Sequence, residues 1–157
     1  MMPGRKIVPF VPSPMDVVER MLSLADVDEG ENVYDLGCGD GRVLLTAARK
    51  FRASAVGCEV RPALVTHVRN SVRALRLDDR IALVKRDMFT IPLHDADVVT
   101  LYLTRDVLGR LRPKLENELK PTARVVCHDY PIPGWRPIHW ERFSGHTIYL
   151  YKPMNKL

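Results

Sequence analysis

The ten residues Val33-Tyr34-Asp35-Leu36-Gly37-Cys38-Gly39-Asp40-Gly41-Arg42 decide how this chain folds. Asn32-Val33-Tyr34-Asp35-Leu36 reads as a short buried strand, three glycines follow at every second position, and residues 43–48 open a helix. Glycines at a strand-to-helix turn let the backbone approach a ligand and take angles that a Cβ forbids. The same turn presents the free N–H groups of a helix N-terminus. A dinucleotide fingerprint, G-x-G-x-x-G, needs its third glycine at position 42. Arg42 stands there instead, and the third glycine is Gly41. Asp35 and Asp40 in the same turn suit a cationic ligand, whereas a pyrophosphate site would avoid them.

Size and composition bound the rest. A chain of 157 residues, 46% hydrophobic and 27% charged, is expected to form one compact domain, residues 1–157, with a real core. No apolar run approaches the ~20 residues of a membrane span, and residues 1–14 lack the apolar stretch of a secretory signal. The expectation is a cytoplasmic protein without membrane association. Cys38, Cys58 and Cys127 show no C-x-x-C spacing and are odd in number, so they read as small buried side chains rather than a disulfide framework. A net charge of +5 and a pI near 9.3 permit a nucleic-acid-associated partner. They are mild for a dedicated nucleic-acid binder. Glutamine is absent, and arginine and proline are plentiful, a composition that fits a thermophile.

Along the chain, Pro3, Pro9 and Pro12 exclude a helix or central strand before residue 13 and predict an extended arm. Ser13-Pro14-Met15-Asp16 reads as an N-cap followed by a proline at the first helical position, with a helix to about Ala25. Helices are then expected at 41–51, 62–75 and 105–119, the last interrupted by Pro113, and strands at 32–36, 53–59, 80–86, 97–103 and 123–128. Strands alternating with helices predict a parallel sheet. Residues 139–143 and 147–151, separated by Ser144-Gly145, predict a closing antiparallel hairpin. The expected fold is α/β and Rossmann-like, five parallel strands plus the hairpin with helices on both faces.

The stretch D-x-G-x-G-x-G at 35–41 resembles motif I of the seven-strand S-adenosylmethionine (SAM) methyltransferases. That resemblance directs attention to the carboxyl ends of the strands, where an open α/β sheet binds its ligand. Glu59 ends the second strand and can accept both ribose hydroxyls; Asp87 ends the third and can accept the adenine amino group, with Met88 and Phe89 flanking the ring. Thr100-Leu101-Tyr102 ends the fourth, beside the expected methyl group. An [N/D]-P-P-[F/Y/W] segment, which holds planar amino groups in adenine- and glutamine-modifying enzymes, is absent, as are a catalytic cysteine pair and a metal-ligand spacing. His128 and His146 are the histidines placed near the site.

A closer resemblance covers nearly the whole chain. Val8-Pro9-Phe10-Val11-Pro12-Ser13-Pro14, the glycine turn, Pro113-Lys114-Leu115-Glu116, Tyr130-Pro131-Ile132-Pro133-Gly134-Trp135-Arg136-Pro137 and His146-Thr147-Ile148-Tyr149-Leu150-Tyr151 occur in order. Together they look like the small archaeal protein-lysine methyltransferases, which are similar to the mitochondrial lysine methyltransferases. The resemblance implies SAM-dependent methyl transfer to lysine amines of many proteins, chromatin proteins included, by a monomer. It implies cofactor contacts from Val11, Pro12, Ser13, Asp35, Gly37, Cys38, Gly39, Asp40, Gly41, Glu59, Asp87, Met88, Phe89 and Leu101. Phe10, Tyr102, Tyr130 and Trp135 are placed to form a lysine channel, and Asp129 is the one candidate general base. An RNA or small-molecule methyltransferase, supported by Arg61, Arg69, Arg73 and Arg76, and a non-catalytic SAM-binding subunit are the alternatives.

Overall fold

The computed structural model describes residues 10–153. The arm's Val8 and Pro9 lie outside the described residues. Helix α1 (Met15–Leu24) is followed by β1 (Asn32–Leu36), α2 (Arg42–Lys50), β2 (Ser54–Cys58), α3 (Pro62–Ala74), β3 (Ile81–Val84), β4 (Val98–Leu101), α4 (Arg105–Glu118), β5 (Arg124–His128), β6 (His139–Phe143) and β7 (His146–Tyr151). They form one seven-stranded sheet in the order β3-β2-β1-β4-β5-β7-β6. The first five strands pair in parallel and the hairpin is antiparallel, as expected.

Burial explains why β4 does not alternate apolar and polar residues. Every residue of Val98-Val99-Thr100-Leu101 is buried, because helices cover both faces of a parallel sheet. One core joins Val17, Val18, Met21 and Leu22 of α1 and Leu44 and Ala47 of α2 to Val33, Ala55 and Val98. The other joins Leu108, Leu111 and Leu115 of α4 to Val99, Leu101 and Val125. That second core carries α4 through Pro113, which does not interrupt it. Apolar burial on both sides of the proline outweighs its cost of about 3 kcal/mol. All three cysteines are buried and free.

The strands β2, β3 and β4 are shorter than expected, at Ser54–Cys58, Ile81–Val84 and Val98–Leu101, and two helix starts shift for local reasons. Helix α2 begins at Arg42, because Gly41 has φ 82° and serves as a left-handed cap. Helix α1 begins at Met15, and Ser13 does not cap it: Pro14 holds the cap position, and the serine hydroxyl is turned elsewhere. In the hairpin, Ser144 (φ 52°) and Gly145 (φ 80°) make the tight two-residue turn that matches strand twist.

Gly57 on β2 marks the closest approach of helix to sheet. A Cβ there would meet Leu44 Cδ1 at 2.5 Å and Cys38 Sγ at 2.9 Å. Gly57→Ala should therefore overpack the α2–β2 interface and destabilise the fold by about 1–3 kcal/mol in urea denaturation. A variant as stable as the parent would show that α2 can withdraw freely.

Candidate functional site

Strand order reverses between β1 and β4, and the crevice at their carboxyl ends is a cavity of about 1240 Å³. Its floor is the glycine turn. Gly37, Gly39 and Gly41 all have positive φ, at 75°, 58° and 82°. Gly37 and Cys38 donate their N–H groups to the Cys58 carbonyl at 3.1 and 2.9 Å, which hangs the turn on β2. Asp35 closes the floor. It is 7% exposed and accepts a hydrogen bond from Thr100 Oγ1 at 2.8 Å. Burial, helped by the charges of Asp40 and Glu59, pushes its carboxyl up to about 7 against that hydrogen bond.

Glu59, 3% exposed, ties β2 back to the turn. Its carboxylate accepts from the backbone N–H groups of Gly39 (3.1 Å), Val60 (2.8 Å) and Arg61 (2.9 Å). Arg61 Nη1 lies at 3.2 and 3.5 Å, the loosest of these contacts, and Arg61 Nη2 is buried without a partner. Asp87 accepts from the Phe89 N–H at 2.9 Å and starts the short turn Met88–Thr90. Arg110 from α4 lies over the Phe89 ring, 5.5 Å from its centroid. Asp35, Gly37, Cys38, Asp40, Glu59, Asp87, Met88, Phe89 and Leu101 all line the cavity, with Val11, Pro12 and Ser13 of the arm. Gly39 and Gly41 do not line it: the first is covered by Phe10, whose ring would lie 2.2 Å from an added Cβ, and the second faces Val68.

The arm is held by a residue the sequence marked only as a missing glycine. Arg42 donates from Nη1 to the Ser13 carbonyl at 2.8 Å and from Nη2 to Asp40 at 2.6 Å. Those hydrogen bonds hold the Asp40 carboxyl below its ordinary range despite burial. The spacing D-G-R, with an acid two residues before the arginine, was the available signal.

Beyond Leu101 the cavity meets an aromatic and histidine cluster. The Tyr102 ring stacks on His128 at 3.8 Å and lies 6.4 Å from Tyr130, near parallel to it. Tyr102 lines the cavity, and Tyr130, 40% exposed, stands next to it at the surface. Burial, then the Asp129 charge, pushes the Tyr102 hydroxyl up. Burial also pushes His128 down to about 4, against the opposing pull of Asp129, so its ring is neutral. Three expected members fall outside the lining: Tyr130, which stands beside Tyr102, and Trp135 and Asp129, which are turned elsewhere. Trp135 is 3% exposed, packs edge-on against Tyr151 at 5.8 Å, and donates its indole N–H to Glu116 at 3.0 Å. It is a core residue, because Ile132 and Tyr151 anchor the Pro-rich loop inward. Asp129 is absent from the lining and bonds to His146 and the Thr147 N–H instead, which carries its carboxyl below the ordinary range although burial opposes this.

The lining suits a nucleoside carrying a cationic tail. Buried Asp35 offers a carboxyl to a positive charge, the unpaired Arg61 Nη2 offers a donor, and Val60, Met88, Phe89 and Leu101 provide an apolar slot that a flat ring would fit. Cys38 cannot act as a nucleophile there, since burial drives its thiol far above its usual range.

Comparison with known proteins agrees. The model of the ANTKMT methyltransferase domain matches residues 35–139. A protein-lysine N-methyltransferase of Saccharolobus islandicus is 42% identical over 92% of this chain and 92% of its own. The adenine nucleotide translocase lysine N-methyltransferase of Mus musculus is 35% identical over 87% of this chain, which spans 59% of that protein. Among solved structures, an RNA methyltransferase from Salinibacter ruber in complex with S-adenosyl-L-homocysteine superposes with a TM-score of 0.90 at 40% identity, covering 94% of this chain and 96% of that one. With the sheet order, the glycine turn and a relative matching over 92% of the chain in agreement, the chain belongs to the ANTKMT methyltransferase domain family of SAM-dependent methyltransferases.

Proposed function

We propose that this enzyme methylates lysine side-chain amines of proteins, using SAM as donor, and that its substrates include nucleic-acid-associated proteins. The observation that carries the acceptor assignment is the Tyr102–Tyr130 pair at the mouth of the cavity, beside the end of β4. Aromatic faces accommodate the apolar stem of a lysine. The names of relatives that match nearly the full chain support the same choice. Bound SAM supplies a methyl group already activated on sulfonium. The protein then has to orient, desolvate and exclude water.

The residues divide that work. Asp35 is assigned to the cationic tail and Glu59 to the ribose, with Arg61 as its exchangeable partner because those contacts are longest. Asp87, Met88, Phe89 and Leu101 hold the adenine side, and Val11 to Ser13, clamped by Arg42, cover the tail. A lysine has to arrive neutral although its reference pKa is ~10.4, and the desolvating mouth formed by Phe10, Tyr102 and Tyr130 favours the neutral amine. Asp129, outside the lining, has no place as general base in this assignment.

An RNA acceptor is the second reading, favoured by the name of the Salinibacter ruber structure and by exposed Arg69, Arg73 and Arg76. Labelled SAM in cell extract, digested separately with protease and nuclease, decides between them. Label that survives nuclease and maps to methyl-lysine is expected; nuclease-sensitive label would overturn the assignment. Tyr130→Ala should lower kcat about tenfold or more while SAM affinity stays within about twofold. Equal losses would remove Tyr130 from the acceptor channel.

Asp35 yields a separate expectation. Its carboxyl sits near 7 in the ligand-free chain, so a cation bound beside it lowers that value and expels a proton. Calorimetry at pH 7 in buffers of different ionisation enthalpy should show proton release on SAM binding. Asp35→Asn should abolish the release and weaken binding about tenfold or more. Release unchanged in the variant would place the titrating group elsewhere.

A further inference from the structure

Three side chains converge beside the mouth of the cavity from two strands far apart in sequence. His128 Nε2 and His146 Nδ1 are 2.8 Å apart, His146 Nδ1 and Asp129 Oδ2 are 3.1 Å apart, and His128 Nε2 and Asp129 Oδ2 are 3.3 Å apart. These three atoms form a small triangle. Protons alone satisfy it poorly. One proton shared along one edge leaves lone pairs facing each other along another, and protonating both rings sets two N–H groups against each other across 2.8 Å.

A single cation bonded to all three atoms satisfies every edge. The point equidistant from them lies about 1.8 Å from each, so a metal at roughly 2.0–2.2 Å from N and O ligands sits about 1 Å out of their plane. We propose that His128, Asp129 and His146 form a binding site for a divalent transition-metal ion of the zinc type, with an open fourth position. Two imidazoles and one carboxylate suit Zn²⁺ and its first-row neighbours, whereas Mg²⁺ and Ca²⁺ favour oxygen ligands.

The surroundings are those of a metal site and not of a chance contact. His128 is fully buried, and its other nitrogen, Nδ1, lies 2.8 Å from Ser13 Oγ, which fixes the ring so that Nε2 faces the triangle. The Thr147 N–H donates to Asp129 Oδ1 at 3.1 Å, leaving Oδ2 for the metal. Asp129 has φ 64°, and the Tyr130 N–H bonds the His128 carbonyl at 2.8 Å around it. That is a tight three-residue turn of a rare, strained hand, and it persists where surrounding structure holds it for use. Asp129 and His146 are partly open, with side chains 28% and 29% exposed, so the ion has an entry path and a face for water.

The ion would fasten the end of β5 to the start of β7 and, through Ser13, both to the arm over the cavity. The inference goes beyond the methyl-transfer assignment and stands or falls separately. The full chain is stripped with chelator, dialysed, and titrated with Co²⁺, whose visible absorption reports nitrogen and oxygen ligation. Zn²⁺ content is measured in parallel by elemental analysis. One equivalent per chain is expected, with a rise of several degrees in Tm on metal addition. His146→Ala and the near-isosteric Asp129→Asn should lose both the absorption and the shift, while His67→Ala should retain both. Less than stoichiometric uptake by the parent chain, or undiminished uptake in a folded Asp129→Asn variant, would overturn the site.

Discussion

The carboxyl edge of the sheet depends on one buried acid. Asp35 is the penultimate residue of β1, at the point where strand order reverses, and Thr100 from the neighbouring strand holds it at 2.8 Å. Burying a carboxyl without a charged partner is costly, and its upward displacement to about 7 is the measure of that cost. A buried carboxyl displaced in this way, at the floor of a cavity, marks a candidate functional position. The glycine turn follows directly: three left-handed residues fold the chain back over Asp35, hang on the Cys58 carbonyl, and deliver the Gly39 N–H to Glu59. The floor of the cavity is therefore one connected unit, built from β1, β2 and β4.

That unit was legible in the sequence because its signals are local. The glycine spacing, the acids at the ends of β2 and β3, and the strand–helix alternation sit within short windows, and the cavity collects Asp35, Glu59, Asp87, Met88, Phe89 and Leu101 together. What failed was decided by distant contacts. Ser13 next to Pro14 has the form of a helix cap, yet its hydroxyl meets His128, 115 positions away. Trp135 follows a glycine in a proline-rich loop, where an exposed aromatic is plausible, but Tyr151 and Glu116 draw it into the core. Pro113 has the form of a break, and only the leucines packed on either side keep α4 whole.

The acceptor side shows the same division more sharply. His128 and Asp129 are adjacent, but His146 opens the second strand of the hairpin, 17 positions after Asp129, and no spacing rule joins them. Antiparallel pairing does: His128 lies opposite Ile148, which sets His146 just past the end of β5. Ser13 then attaches the arm to the same cluster, and Arg42 attaches it to the glycine turn. The arm is thus fixed at one serine from both sides, its carbonyl by Arg42 and its hydroxyl by His128. A change that moves either half is transmitted to the cover over the cavity through that residue. The segment that covers the cavity is therefore anchored at one point from two sides, through Arg42 on the glycine turn and His128 at the end of β5.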